Sequence, residues 1–361
     1  MIRNLWQRLI APLDPPLMIV AALLLVYGLV VVASASPERV GAQLLNMLVA
    51  LVVMRLVAQV PPQKLMHYAL PVFAVGILLL VAVALFGDVS KGARRWLNLG
   101  FMRIQPSEIM KIAMPMMLAW YFQKYETALR LREYLVAALI LLLPVVLIAK
   151  QPDLGTAILV LAAGCYVIFF AGLSWKVIIT LCTAAVAAAP VAWSMMRDYQ
   201  KSRILTLLNP QSDPLGKGFH IIQSTIAIGS GGIFGKGWGQ GTQAQLEFIP
   251  ERHTDFIFAV LSEELGLIGI SLLMLLYALL VGRGLMIAAK APTLFTRLLA
   301  GSITLIFFTY AFVNMGMVSG ILPVVGLPLP FISYGGTALV TLFVGIGILM
   351  SIHKHRMLVQ K

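Results

Sequence analysis

Ahead of one long apolar run the chain reads Glu247-Phe-Ile-Pro-Glu251-Arg252-His253-Thr254-Asp255-Phe256. Acids, a guanidinium and an imidazole are crowded where water gives way to apolar sequence. A carboxylate at Asp255 could remove a proton from a sugar hydroxyl as a general base. It could equally be a first-turn acid favoured by the positive end of a helix dipole. Glu263 and Glu264 follow about two turns deeper.

Four further stretches carry chemistry. The first is Lys91-Gly-Ala-Arg94-Arg95-Trp96, followed by Arg103-Ile-Gln105-Pro106-Ser107-Glu108. Gln-Pro-Ser-Glu reads as a helix start with Ser107 as its cap. Lys111, three residues after Glu108, shares its helical face. The two are either a structural ion pair or a cationic group beside an anion at the outer mouth of a membrane site. The second, Gln151-Pro-Asp153-Leu-Gly155-Thr156, is a turn whose Asp153 either caps the next helix or reaches into a cavity. The third is the glycine-rich run Gly229 to Gly241. It fails as a nucleotide loop, because Ser230 and Gly237 stand where the pattern ending at Lys236 needs Gly and Ser/Thr. It reads as a flexible loop, or as one whose backbone approaches a ligand closely. The fourth runs from Asn314 through Gly320, Pro323, Gly326, Pro328 and Pro330 to Ser333-Tyr334-Gly335-Gly336-Thr337. Irregular backbone at membrane depth must be buried in protein or line a cavity. Ser333 through Thr337 then open the last apolar run. No His/Cys cluster has zinc spacing, and Cys165 and Cys182 lie in apolar runs as small buried hydrophobes.

The elements that must position these residues follow from composition. Of 361 residues 60% are hydrophobic and 11% charged, with a mean hydropathy of +0.94. A soluble domain carries about 25% charged residues, so a soluble enzyme is excluded. Disorder is excluded as well, since it needs low hydrophobicity. An all-α polytopic membrane protein remains. A spanning helix needs about 20 mainly apolar residues. Ten transmembrane helices are expected, at roughly 17–35, 42–60, 69–86, 107–122, 135–150, 156–173, 177–195, 255–281, 298–318 and 333–352. The first, behind Arg3 and Arg8, is too long for a signal peptide and reads as an uncleaved anchor.

Lys and Arg placement sets the orientation. With both termini cytoplasmic, the inner segments collect Arg55, Lys64, Lys124, Arg130, Arg132, Lys176, Arg283, Lys290, Arg297, Lys354 and Arg356, against only Asp14, Glu126 and Glu133. The formal net charge of +13 would suit lipid headgroups, nucleic acid or an anionic substrate. Most of it falls on the inner side and reports orientation. The outer side is nearly balanced, with its charges in two long segments at about 87–106 and 196–254. The second is a large extracytoplasmic loop between helices seven and eight. The chain, 1–361, reads as a single integral membrane domain without internal repeats.

Together the Lys91–Trp96 loop, Gln105-Pro-Ser-Glu108-Ile-Met-Lys111, Gln151–Thr156, His220–Gly232, Glu251-Arg-His-Thr-Asp255-Phe256 and the Asn314–Ala338 signature resemble the shape, elongation, division and sporulation family over nearly the whole chain. Gln245-Leu-Glu-Phe-Ile-Pro-Glu251-Arg252 favours its elongation branch. The resemblance implies a peptidoglycan glycosyltransferase with ten spanning helices in the bacterial cytoplasmic (inner) membrane. It would polymerise lipid II outside the membrane beside a class B penicillin-binding protein. The family's essential aspartate maps to Asp255. Arg94, Arg95, Trp96, Gln105, Glu108, Lys111, Asp153, Arg203, Lys217, Glu251, Arg252, His253 and Ser333 would surround the substrate. Expected partners are lipid II, the nascent glycan strand, other elongation-complex proteins and membrane lipids, with no nucleic acid. No cofactor is demanded by the residues. A divalent cation, magnesium or manganese, is an option for Glu108, Glu247 and Glu251. The competing reading is a lipid II flippase, since broken helices and intramembrane charges suit transport too.

Overall fold

The computed structural model describes residues 14–90, 93–98, 103–126, 129–196, 198–212, 216–246, 248–249 and 251–359. Lys91, Glu247 and the segment bearing Arg3 and Arg8 lie outside the described residues. The helices are α1 (Pro15–Ala35), α2 (Val40–Val57), α3 (Pro62–Phe86), α4 (Pro106–Lys124), α5 (Leu131–Lys150), α6 (Leu154–Phe170), α7 (Trp175–Met195), α8 (Asp198–Leu208), α9 (Lys217–Ser230), α10 (Thr242–Gln245), α11 (Ile257–Ala289), α12 (Leu294–Val318) and α13 (Gly336–Val359). Among the described residues seven helices are long and apolar enough to cross a membrane, and Leu154–Phe170 and Trp175–Val191 are shorter apolar helices.

Local sequence explains where they start. Proline occupies the first turn of α1, α3 and α4, where its missing N–H costs nothing and its fixed φ suits the helix. The α4 cap is Gln105, not Ser107. Pro106 takes the first helical position and carries Ser107 into the first turn. Asp153 caps α6, accepting from the Thr156 amide at 3.3 Å. Thr293 and Thr296 cap α12 reciprocally, so that helix starts at Leu294, before the expected 298. The last helix starts at Gly336, leaving Ser333 in the turn ahead of it.

α4 is the polar exception, and its position explains why. It packs against α3, α6, α12 and α13. Met110, Lys111, Met114, Leu118 and Phe122 are all within 2% of full burial, so protein replaces lipid around it. α7 is the opposite case, with no described residue buried. Cys165 and Cys182 are free and exposed, not buried as expected, because their helices turn those positions outward from the bundle.

Two long segments contain structure that hydropathy does not show. The described residues between Asp88 and Ile104 form the antiparallel strands β1 (Asp88–Ser90), β2 (Ala93–Asn98) and β3 (Arg103–Ile104) in the order β1-β2-β3, with Val89 opposite Arg94 and Leu97 opposite Ile104. The 196–254 segment holds α8, α9 and α10, with α9 packed against α11 and α12.

α11 is broken at Gly266, where φ is 60° and ψ is −158°. The break removes two bonds of the helical ladder, and the glycine-rich loop replaces them. The Lys236 and Gly237 amides donate to the Glu263 and Glu264 carbonyls, both at 3.0 Å. In return the Leu267 and Ile268 amides donate to the Gly232 and Ile233 carbonyls at 2.9 and 3.1 Å. Backbone groups at that depth find no water, so they must be satisfied by protein. A Cβ on Gly266 would lie 2.3 Å from the Gly235 nitrogen, so no other residue fits.

Candidate active site

Asp255 lies half-buried in the turn that enters α11, and residues of α12 and of the turn before α13 hold the backbone of 253–255. Asn314 of α12, fully buried, donates through Nδ2 to the Asp255 carbonyl at 2.8 Å and to the Leu327 carbonyl at 2.6 Å. The Ser333 hydroxyl donates to the Thr254 carbonyl at 2.7 Å and accepts from the Leu329 amide at 2.7 Å. The Tyr334 amide donates to the His253 carbonyl at 2.8 Å. The turn also contains Glu251 at φ 54°, a left-handed conformation that non-glycine residues hold only when their surroundings impose it. Opposite the carboxylate is Gly326, at φ +76°, where an added Cβ would stand 3.4 Å from Asp255 Oδ2.

Arg252 is engaged by the protein itself. Its Nε donates to the Ala35 carbonyl at 2.7 Å and its Nη1 to the Ala244 carbonyl at 2.8 Å. His253 meets the Tyr334 ring edge-on at 5.8 Å, and the Arg39 guanidinium lies 5.2 Å over the same ring. Partial burial and the positive charge of Arg39 hold the imidazole below its usual range. Glu38 is also held low, by backbone and Ser36 hydrogen bonds and by Arg39.

A second cluster forms where α4, α6 and α12 meet. The Lys111 ammonium, 2% exposed, donates to Glu108 and to the Tyr310 hydroxyl. Gln105 donates to Asp153 Oδ2 at 3.0 Å. Arg95 of β2 donates to the Pro152 carbonyl, tying the small sheet to the α6 cap. The first-segment motif and Gln151–Thr156 therefore assemble into one unit. Arg94 is exposed on β2 and Trp96 is half-buried. Arg203 lies half-buried on α8, and Lys217 opens α9 with its side chain outside the described residues.

Among the described residues no group of three or more His, Cys, Asp or Glu is placed to hold a metal. Glu108 is paired with Lys111, Glu251 accepts from the Thr254 hydroxyl at 3.1 Å, and Glu247 lies outside the described residues.

Several of these contacts escape sequence reasoning. Tyr310 and Arg39 carry no motif signal. Gln43, fully buried on α2, donates to the Ser333 carbonyl at 3.3 Å and accepts from the Gly335 amide at 3.4 Å. A lone Gln in an apolar run was the available hint, since a polar side chain at membrane depth needs a partner. The glycine-rich loop does approach something closely, namely the broken part of α11.

Comparison with known proteins adds a lineage. The family model for FtsW, RodA and SpoVE, described as cell cycle protein, matches residues 15–358. Peptidoglycan glycosyltransferase MrdB of Escherichia coli K12 is 51% identical, over 99% of this chain and 98% of that one. The probable peptidoglycan glycosyltransferase FtsW of Trichlorobacter lovleyi is 37% identical, over 95% and 93%. A solved chain from a peptidoglycan synthase complex that coordinates polymerization and crosslinking matches with a TM-score of 0.84 at 34% identity, covering 96% of this chain and 99% of that one. The crystal structure of the rod shape determining protein RodA of Thermus thermophilus matches with a TM-score of 0.73 at 29% identity, covering 96% and 98%.

Proposed function

The chain belongs to the FtsW/RodA/SpoVE family of cell cycle proteins, and from that premise we propose that it polymerises lipid II into β-1,4-linked glycan on the outer face of the cytoplasmic membrane during rod-shaped elongation. It is a peptidoglycan glycosyltransferase. The observation that carries the site assignment is the half-buried Asp255, fixed through its backbone by Asn314 and its neighbours by Ser333 and Tyr334.

In this reading ten helices span the membrane with both termini inside. Two groups of contacts support that arrangement. Asp14 pairs with Arg283 and stands beside His353 at one end of the bundle, while at the other Arg39 lies over the Tyr334 ring, His253 meets that ring edge-on and Arg252 bonds the Ala35 carbonyl. Asp255 takes the proton from the acceptor sugar's 4-hydroxyl. The freed oxygen attacks the anomeric carbon of the donor strand from the face opposite its diphosphate. The bond from that carbon to the diphosphate oxygen breaks, the configuration inverts, and the lipid diphosphate leaves with the electron pair.

Negative charge grows on the leaving diphosphate and calls for nearby cations. Arg94, exposed on β2, is the cation this reading assigns to it. Lys111, locked behind Tyr310 and Glu108, fixes the framework of that wall. Arg203 and Lys217 bring further charge to the outer segment. The cleft of about 440 Å³ beside α9 is lined by Pro210, Ile221, Ile222 and Ile226 together with Asn209, Gln211 and Thr225, and in this reading its isoleucine side holds isoprenoid units. The strand produced is passed to a class B penicillin-binding protein, a partner whose cross-linking role matches the assembly in which the structural relative was solved.

The test is polymerisation of purified lipid II by the chain with its cross-linking partner. Asp255→Asn should abolish polymer while the protein still folds. Near wild-type polymer from that variant would sink the assignment.

A further inference from the structure

The strongest feature left unexplained is a pair of carboxylates two turns inside α11. Glu263 is fully buried and Glu264 is 2% exposed. Acids at membrane depth are costly and persist where they pair. Glu263 Oε1 accepts from Lys236 Nζ at 2.7 Å, from the Thr242 hydroxyl at 3.0 Å and from the Gln243 amide at 3.1 Å, and Oε2 accepts from the same amide at 3.2 Å. One carboxylate thus fixes both the loop tip and the start of α10. Glu264 Oε1 accepts from the Ser34 hydroxyl at 2.6 Å, fixing the end of α1.

These two anchors meet again at a single side chain. Arg252 bridges the Ala244 carbonyl of α10 and the Ala35 carbonyl of α1. Gln245 of α10 donates to the Ser34 carbonyl at 3.4 Å. The chain of contacts is a closed ring, from Glu263 through α10 to Arg252, then through Ala35 and Ser34 to Glu264. Arg252 lies three residues before Asp255, and the outer piece of α11 that bears both glutamates begins two residues after Asp255, at Ile257. The ring therefore spans the aspartate from both sides in sequence.

We propose that Glu263, Glu264 and Lys236 are positioning residues for Asp255, acting through Arg252 and α10. The inference rests on the glycosyltransferase reading. The pair does not touch substrate. It sets where the base stands relative to the acceptor hydroxyl, so its loss costs turnover and leaves substrate affinity in place.

The experiment uses the full chain with its cross-linking partner, reading kcat and KM for lipid II, thermal midpoint, and hydrogen exchange of the amides at 251–255. Glu263→Gln keeps an acceptor for Thr242 and Gln243 but loses the charge facing Lys236. Lys236→Met removes the other half from a partly exposed site and guards against a misfolded first variant. Each single change should lower kcat about tenfold with KM within about twofold, and the double should lose about tenfold in total rather than a hundredfold, since both halves serve one contact. Exchange at 251–255 should quicken in both, whether or not the chain polymerises anything. Unchanged kcat, a loss that follows the thermal midpoint, a multiplicative double or unchanged exchange overturns the proposal. A folded wild-type chain that makes no polymer, with exchange quickened as stated, overturns the glycosyltransferase reading and leaves the positioning ring standing.

Discussion

Tyr310 and Asn314 stand one turn apart on α12 and hold different halves of the site. Tyr310 takes the Lys111 ammonium, and Asn314 takes the carbonyl of Asp255. Side chains four apart on a helix are neighbours, about 6 Å between Cβ atoms. The buried Lys111 cluster and the turn that bears Asp255 therefore share one helical turn as their common reference.

Asn314→Leu should cost most of the turnover. Two buried carbonyls, those of Asp255 and Leu327, lose their donor. Each orphaned buried group costs about 1–3 kcal/mol. Polymerisation rate and thermal midpoint should both fall, and Asn314→Asp should not restore them, because a carboxylate cannot donate.

The Lys111–Glu108 pair should respond asymmetrically. With side-chain exposures of 2% and 12%, removing one member strands the other. Breaking a buried pair costs about 3–5 kcal/mol, whereas replacing both members by apolar groups is often neutral. Lys111→Met should lower the thermal midpoint more than Lys111→Met combined with Glu108→Leu does, while both variants lose polymerisation.

Gly266→Ala tests the broken helix. Positive φ and a Cβ 2.3 Å from the Gly235 nitrogen leave no room for a methyl. Strain of about 1–3 kcal/mol from the dihedral alone, together with the clash, should appear as a lowered thermal midpoint and weaker protection of the Lys236, Gly237, Leu267 and Ile268 amides.

His253 gives a pH dependence with a defined sign. Its folded-state pKa lies below the ordinary histidine value of about 6.5, through burial and then Arg39. The unfolded chain therefore binds the proton more readily. The stability this group contributes is complete above about pH 6.5 and is lost as pH falls through the lower folded value. The thermal midpoint should decline on acidification across that window, and His253→Gln should flatten the decline.

Legibility followed the range of the interactions. The starts of α4 and α6 could be read because Pro106 and Asp153 act on neighbours within one turn. The signature from Asn314 to Ser333 could be read as buried irregular backbone because prolines cannot join a ladder. Arg252 was expected beside substrate, yet two of its donors are used on carbonyls of α1 and α10, partners no spacing reveals. The break in α11 was hidden for the same reason. Glu263-Glu264-Leu265-Gly266 reads as continuous helix, and only the loop some thirty residues earlier in the sequence opens it. The small sheet at 88–104 was invisible to hydropathy because its strands are short and polar.

The break gives α11 the mechanics of a jointed lever. At 33 residues it would measure about 50 Å if straight, longer than a hydrocarbon core of about 30 Å. Its long arm runs past Arg283, clasped to Asp14 at 2.6 Å. Its short arm follows from the turn that holds Asp255. A push on the long arm must turn a corner at Gly266 to reach that turn, and the corner is pinned by the amides and carbonyls of a different segment. The joint thereby lets the two arms tilt as separate bodies.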